Sequence, residues 1–157
     1  MPPRPRHACL ALVLLALGAC NAVPPVPETK PEASRALYPN ETQELRALIN
    51  QYADQYSVPP ELVQRVVIRE STHVPTARNG PYYGLMQILP STARQMGYQG
   101  SPSGLLDAET NLKYAVKYLR GAWMLAGGSQ DRAVGLYAKG YYNEAKQQGL
   151  LEETGLR

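Results

Sequence analysis

Glu70 is the residue whose position in this sequence most clearly suggests chemistry. Residues 61–71 have helical periodicity, and Val63, Val66 and Val67 fall on the same face of that helix as Glu70. A carboxylate on an apolar face is costly to ionise because burial removes its hydration, so the pKa of Glu70 is expected to lie above its ordinary value. A carboxyl group with a raised pKa suits general acid–base catalysis.

Glu70 is also expected to act without a second carboxylate. No aspartate or glutamate occurs between Ser71 and Leu106, whereas glycosidases usually use two carboxyl groups, about 5 Å or about 6.5–9.5 Å apart. Asp54, Asp107 and Asp131 lie at or near predicted helix ends, where capping or solvation explains them. A single acid can still protonate a leaving oxygen and then accept a proton from the attacking group.

Aromatic residues offer surfaces on which a sugar could bind. The chain has 11 tyrosines, one tryptophan and no phenylalanine, and five tyrosines fall in predicted loops or at helix ends, where rings and hydroxyls could line a cleft. These are Tyr82, Tyr83, Tyr137, Tyr141 and Tyr142. Ordinary half-buried packing is the alternative explanation for each of them.

The elements that must position these residues are predicted to be mainly helical, with little or no β-sheet. Apolar periodicity and end signals predict helices over 40–56, 61–71, 90–96, 107–125, 131–137 and 142–148. Asn40 is the predicted N-cap of the first helix, with Gln43 completing a capping box, and the first two helices are predicted to pack as a hairpin. Residues 72–83 and 99–106 are predicted loops.

Several motifs in this order resemble the lytic transglycosylases that have the goose-type lysozyme fold. They are Glu70-Ser71, Gly84-Leu85-Met86-Gln87-Ile88, Pro90 with Thr92-Ala93, Asn111-Leu112 and Tyr118-Leu119. The resemblance extends from about residue 56 to about residue 141. It implies a mainly α, lysozyme-like domain that acts on the glycan strands of peptidoglycan (murein).

The resemblance also implies a reaction that needs only one carboxyl group. Glu70 would protonate the β-1,4 oxygen between N-acetylmuramic acid and N-acetylglucosamine. It would then deprotonate the muramyl C6 hydroxyl, which closes a 1,6-anhydro ring without consuming water.

The same resemblance assigns substrate-binding residues, which are Ser71, Gly84, Leu85, Met86, Gln87 and Tyr137. Gly84 would permit a close backbone approach, Met86 and Gln87 would line the cleft floor, and Tyr137 would contact the catalytic carboxyl. Simpler alternatives are Ser71 as a polar residue at a helix C-terminus, Met86 as a core residue and Gln87 as a loop amide bonded to backbone.

One position departs from the family pattern. Family members usually read Ala-Tyr-Asn-Ala-Gly near the end of the domain, whereas this chain reads Leu136-Tyr137-Ala138-Lys139-Gly140. Loss of the asparagine changes how the acetamido group of the substrate is held, and Asn143 or Gln87 could take over that task. Two other functions stay open: a hydrolytic lysozyme on the same fold, and a murein-binding lipoprotein without catalysis.

The N-terminal part has the pattern of a bacterial lipoprotein. Residues 1–19 combine Arg4 and Arg6 with an apolar run too short to span a bilayer, as in a signal peptide. Cys20 then lies where a lipobox requires the acylated cysteine, and Asn21 rather than aspartate favours the outer membrane. Residues 20–34 form a proline-rich tether, and residues 35–157 form the predicted catalytic domain.

Composition excludes several other classes of function. The net charge is +3, and processing would remove Arg4 and Arg6 but no acidic residue, which leaves +1. No basic run suggests a nucleic-acid partner. The mature chain would keep Cys20 alone, so no disulfide, metal–thiolate site or cofactor is predicted.

Overall fold

The structure is a computed structural model that describes residues 36–157. Its elements are α1 (Gln43–Gln55), α2 (Pro60–Ser71), β1 (Arg78–Asn79), β2 (Tyr82–Tyr83), α3 (Pro90–Gln95), a 3₁₀ helix (Pro102–Leu106), α4 (Ala108–Leu125), α5 (Gln130–Lys139) and α6 (Tyr142–Gln148). The predicted mainly α class is confirmed. The predicted signal peptide, Cys20 and the linker lie outside the described residues.

Helix α2 is built as the sequence predicts. Pro60 occupies its first turn, where the missing N–H costs nothing. Val63, Val66 and Val67 are all 0 % exposed, and α1 packs against α2 as the predicted hairpin requires. The helix ends at Thr72, which takes a left-handed conformation with φ +50°. The apolar face of α2 therefore fixes it in the core and leaves its C-terminal end at the surface.

The start of α1 differs from the prediction. Thr42, and not Asn40, is the N-cap, since its hydroxyl accepts a hydrogen bond from the Leu45 amide. Asn40 has a positive φ of 62° and uses its side chain elsewhere, donating from Nδ2 to the carbonyl oxygen of Thr72 at 3.0 Å. Asn40 therefore bonds to a residue 32 positions away and does not form the predicted capping box with Gln43.

Helix α4 is the element on which most others pack. The sequence allows either Asp107 or Thr110 as the N-cap, and the structure has Asp107, whose carboxylate accepts from the Thr110 amide at 2.8 Å. The contacts of α4 reach α1, α3, α5 and the 3₁₀ helix. Helix α5 begins at Gln130 with Ser129 as its N-cap, one residue before the predicted start at Asp131. None of the helices over residues 36–157 is long and apolar enough to cross a membrane.

The two predicted loops contain short regular pieces. Strands β1 and β2 form an antiparallel hairpin, in which Arg78 pairs with Tyr83 and Asn79 with Tyr82. The 3₁₀ helix lies in the second predicted loop. Strand β2 leads directly into the turn at residues 84–88, and the 3₁₀ helix packs on β2, so both elements support that turn.

Candidate active site

The end of α2 opens into a cavity of about 510 Å³. Its walls come from α2, the β-hairpin, the turn at residues 84–89, α4 and the end of α5, and they include Arg69, Glu70, Tyr82, Gln87, Tyr118, Tyr137, Ala138 and Lys139. Residues from four stretches of the chain, 69–70, 79–92, 118 and 137–140, therefore meet around this cavity.

Glu70 is half-buried, with 22 % of its side chain exposed. Burial raises the pKa of its carboxyl above the ordinary value, and the nearby Arg69 guanidinium opposes that rise. The Nε atom of Arg69 lies 3.5 Å from Oε1 of Glu70. Glu70 is the one carboxylate among the described residues that line this cavity, so the walls offer no second acid or base of that type.

The raised pKa of Glu70 predicts a pH-dependent effect on stability. A folded-state pKa above the unfolded one favours the protonated carboxyl, so the contribution of Glu70 is fully present below about pH 4.3 and is lost as pH rises through the folded-state pKa. Glu70→Gln is therefore expected to raise Tm at pH 7 and to leave it unchanged near pH 3. Thermal melts across this range provide the measurement.

Glu153→Gln is the matched control for that titration, because Glu153 is exposed. Its melting temperature at pH 7 should be close to that of the wild type, because substitutions of exposed side chains usually change stability little. A Glu70→Gln protein that is no more stable than the wild type at pH 7 would contradict a carboxyl penalised by burial.

The turn at residues 84–88 is held by one buried amide. Asn111 is 0 % exposed, and its Oδ1 accepts from the Met86 amide at 3.0 Å. Its Nδ2 donates to the carbonyl oxygens of Tyr83 at 2.9 Å and Leu105 at 2.8 Å. Gly84 has φ +74°, and a Cβ there would lie 2.3 Å from both Asn111 Nδ2 and Leu105 O. The close approach that Gly84 permits is therefore that of its own backbone to Asn111 and Leu105.

Leu85 and Met86 do not line the cavity. Both side chains are 0 % exposed in the core, so the expectation that Met86 forms the cleft floor is wrong and the core alternative describes its side chain. The cause is the backbone of the turn, which Asn111 holds by the Met86 amide and Tyr137 by the Met86 carbonyl. These bonds direct the side chains of Leu85 and Met86 inward.

Gln87 does line the cavity. It takes a left-handed conformation with φ +47°, and its Nε2 donates to the carbonyl oxygens of Gly84 at 2.8 Å and Ala77 at 3.1 Å. Its Oε1 is buried and has no hydrogen-bond partner among the described residues. Buried acceptors are nearly always satisfied, so this oxygen is an exception, and a rotation of the side chain would be needed to bring it to a ligand in the cavity.

Tyr137 lies beside Glu70, but its hydroxyl does not bond to the Glu70 carboxyl. Its hydroxyl donates to the Met86 carbonyl at 2.8 Å, and its ring meets that of Tyr118 edge-on, with centroids 5.4 Å apart. Burial, followed by the Glu70 carboxylate, raises the pKa of Tyr137 well above its ordinary value. Tyr137 therefore stays protonated and links α5 to the turn.

Ser71 and most of the other predicted tyrosines lie away from the cavity. The Ser71 hydroxyl donates to the Val67 carbonyl at 3.3 Å within its own helix. Tyr82 is a wall residue, whereas Tyr141 is 1 % exposed in the core. Tyr142 lines a neighbouring cavity of about 570 Å³. Tyr118 also lines the cavity. The motif that contains Tyr118 was identified in the sequence, but its ring was not predicted to be a wall residue.

No metal site is present in the described part of the chain, where no three His, Cys, Asp or Glu side chains cluster closely enough to hold an ion. The site therefore consists of one half-buried acid, the side chain of Gln87 and several aromatic walls. Such a site can transfer a proton to and from a bound polar ligand.

A comparison with known protein families agrees with this arrangement. The model of the family described as the transglycosylase SLT domain matches residues 47–154, which is more than half of the chain and contains every wall residue named above. The mainly helical, lysozyme-like fold expected from the motifs is consistent with that match. The chain therefore belongs to the SLT transglycosylase domain family.

Proposed function

We propose that this protein is a murein lytic transglycosylase that forms 1,6-anhydromuramic ends. Membership of the SLT family indicates an enzyme that degrades murein by cleaving glycosidic bonds. The observation that supports the finer proposal is Glu70, a half-buried acid with no second carboxylate among the described walls of its cavity. A reaction that uses an internal hydroxyl, and not water, needs no separate base.

Glu70 performs both proton transfers in the proposed mechanism. Its carboxyl proton passes to the β-1,4 oxygen as the bond from that oxygen to C1 of N-acetylmuramic acid breaks. The resulting carboxylate takes the proton of the muramyl C6 hydroxyl as O6 bonds to C1, so Glu70 ends protonated as it began. A raised pKa favours the acid form at the start, and return of the proton closes the cycle.

Gln87 is the residue that we expect to hold the acetamido group. Its side chain lines the cavity, and its Oε1, which is buried without a partner among the described residues, would accept from an acetamido N–H once the side chain rotates toward the cavity. Asn143 lines the neighbouring cavity and not that of Glu70, which argues for Gln87 over Asn143. The predicted substrate roles of Ser71, Gly84, Leu85 and Met86 receive no such support from their positions.

Product analysis tests the proposal directly. Purified protein is incubated with murein in heavy-oxygen water, and the products are weighed by mass spectrometry. Anhydro ends, lighter than reducing ends by one water and free of label, are the expected result. Labelled reducing ends would instead identify a hydrolytic lysozyme, and murein binding without any product would identify a non-catalytic binding protein.

Restoring the family asparagine is expected to increase activity. Ala138 is exposed at the wall, so Ala138→Asn adds an amide where this chain has none. One hydrogen bond formed in the transition state contributes about 1 kcal/mol, which corresponds to an increase in kcat/KM of roughly 5-fold. Initial rates of release of soluble muropeptides provide the measurement.

Ala138→Leu is the matched control, since leucine has a similar size and no amide. It should not reproduce the gain. Equal rates in Ala138→Asn and Ala138→Leu would show that the amide has no place in the substrate complex of this protein.

We also propose that the protein is lipid-anchored at Cys20 on the periplasmic side of the cell envelope. The lipobox pattern at Cys20 and the proline-rich residues that follow it support this placement. Asn21 favours the outer membrane over the inner one. Incorporation of a labelled fatty acid into the wild type, but not into Cys20→Ser, tests the anchor.

A further inference from the structure

Residues 36–41 fold back onto the helix that carries Glu70. They precede the family match, which begins at residue 47, and they belong to the same compact unit as the rest of residues 36–157. Three side chains of this segment, Tyr38, Asn40 and Glu41, contact α2 or the two residues that follow it. We call residues 36–41 the N-terminal clamp.

Glu41 is the centre of the clamp, and its side chain is fully buried. Arg46 binds both of its carboxylate oxygens, Gln64 Nε2 donates to Oε1 at 2.7 Å, and the Tyr38 amide donates to Oε2 at 2.8 Å. Burial raises the pKa of Glu41, but these hydrogen bonds outweigh burial and hold it below the ordinary value. A buried charge with this many donors fixes the groups around it in one arrangement.

The clamp holds α2 on both sides of Glu70. Before Glu70, the bond from Gln64 attaches α2 to Glu41. After Glu70, Asn40 Nδ2 donates to the Thr72 carbonyl at 3.0 Å. The ring of Tyr38 also stacks on that of His73, with centroids 5.5 Å apart and an angle of 9° between the planes.

The segment just after Glu70 needs such support. Thr72 and His73 both have left-handed backbone conformations, with φ of 50° and 62°, which residues other than glycine adopt only at an energetic cost. His73 Nε2 also bonds to Gln64 Oε1 at 2.7 Å, so Gln64 connects the two attachment points. The clamp thus contacts the strained end of α2 within three residues of Glu70.

We propose that the N-terminal clamp positions Glu70 for catalysis, with Tyr38, Asn40 and Glu41 as positioning residues. The proposal rests on the catalytic role of Glu70 proposed above. Small errors in placing a catalytic group are costly to rate, because a displacement of about 1 Å can lower activity about 100-fold. The clamp is thus a functional part of the domain although it lies outside the family match.

Paired variants separate positioning from general stability. Asn40→Gly removes the donor to Thr72 but tolerates the positive φ, and Tyr38→Ala removes the ring that stacks on His73. Tyr38→Phe keeps that ring. Thr154→Val is the stability control, because it removes a buried hydroxyl that donates to the Leu150 carbonyl in the C-terminal turn. All variants are assayed at a temperature at which each is fully folded.

We expect Asn40→Gly and Tyr38→Ala to lower kcat on murein glycan strands by about 10-fold, with KM changing less than about 2-fold. Amide hydrogen exchange should become faster at residues 70–74 in both. Tyr38→Phe should match the wild type in both measurements. Thr154→Val should lower Tm while kcat and the exchange at residues 70–74 stay unchanged.

Hydrogen exchange also decides the inference independently of the activity. Wild-type protein without anhydro products would refute the proposed function, while faster exchange in Asn40→Gly and Tyr38→Ala would still establish that the clamp holds the end of α2. Wild-type exchange at residues 70–74 in both variants would overturn the inference. A kcat in Asn40→Gly and Tyr38→Ala that is no lower than that of Thr154→Val would overturn the inference as well.

Discussion

Glu70→Gln is expected to lower the release of anhydro-muropeptides by about 10³-fold or more while the protein still binds murein. The amide has nearly the shape of the carboxyl group but can neither give nor take a proton at the pH of the reaction. General acid–base catalysis by one group contributes typically about 10²–10⁴-fold, and Glu70 is proposed to serve both steps. Rates of product release and pull-down of the protein with murein are the two measurements.

Glu61→Gln is the matched control for that variant. Glu61 is exposed in the first turn of the same helix and is not among the walls of the cavity, so its replacement should leave the rate within about 2-fold of the wild type. A folded Glu70→Gln protein that retains full activity would refute the assignment of Glu70 as the acid.

The sequence was sufficient to predict the helix that carries the acid. Three valines at helical spacing from Glu70 define one face of α2, and all three are fully buried. Pro60 in the first turn of α2 and Asp107 at the N-cap of α4 are local signals that act within a few residues. Such short-range patterns predict the helices correctly because burial and capping favour the same helical segments.

The orientation of the turn at residues 84–88 was not predictable in the same way. The motif at residues 84–88 was predicted to face the substrate as a whole. In the structure Gln87 lines the cavity, whereas Leu85 and Met86 lie in the core. The division depends on Asn111, 25 residues away from Met86, and on the positive φ of Gln87. Nothing in the local sequence of the turn carries this information.

The N-terminal clamp illustrates the same limit. Asn40 has the sequence signature of an N-cap, yet it bonds to Thr72, which lies 32 positions further along the chain. Glu41 has no sequence pattern that predicts burial, since charged residues are rarely buried unless paired, and its partner Gln64 lies in the next helix. A long-range network of polar side chains leaves no periodic signal, so only the folded structure shows it.

Asn111→Ala is expected to destabilise the domain strongly and to disorder the turn beside Glu70. The change leaves the Met86 amide and the Leu105 carbonyl oxygen buried without the partner that each has now, whereas the Tyr83 carbonyl still accepts from the Ile88 amide. Each of these two groups costs about 1–3 kcal/mol, so a loss of roughly 2–6 kcal/mol is expected. That is a large part of the 5–15 kcal/mol, roughly, that stabilises a typical domain.

The loss should extend to activity, because the carbonyl of Met86 accepts from Tyr137 and the next residue, Gln87, lines the cavity. Urea denaturation measures the stability, and the residual rate is measured where the variant is still folded. Asn50→Ala is the matched control: Oδ1 of Asn50 has no partner among the described residues, so its loss should cost less than about 1 kcal/mol. An Asn111→Ala protein as stable as Asn50→Ala would mean that the turn keeps its shape without the Asn111 amide, and Gln87 would then owe its place in the cavity to its own bonds with Gly84 and Ala77.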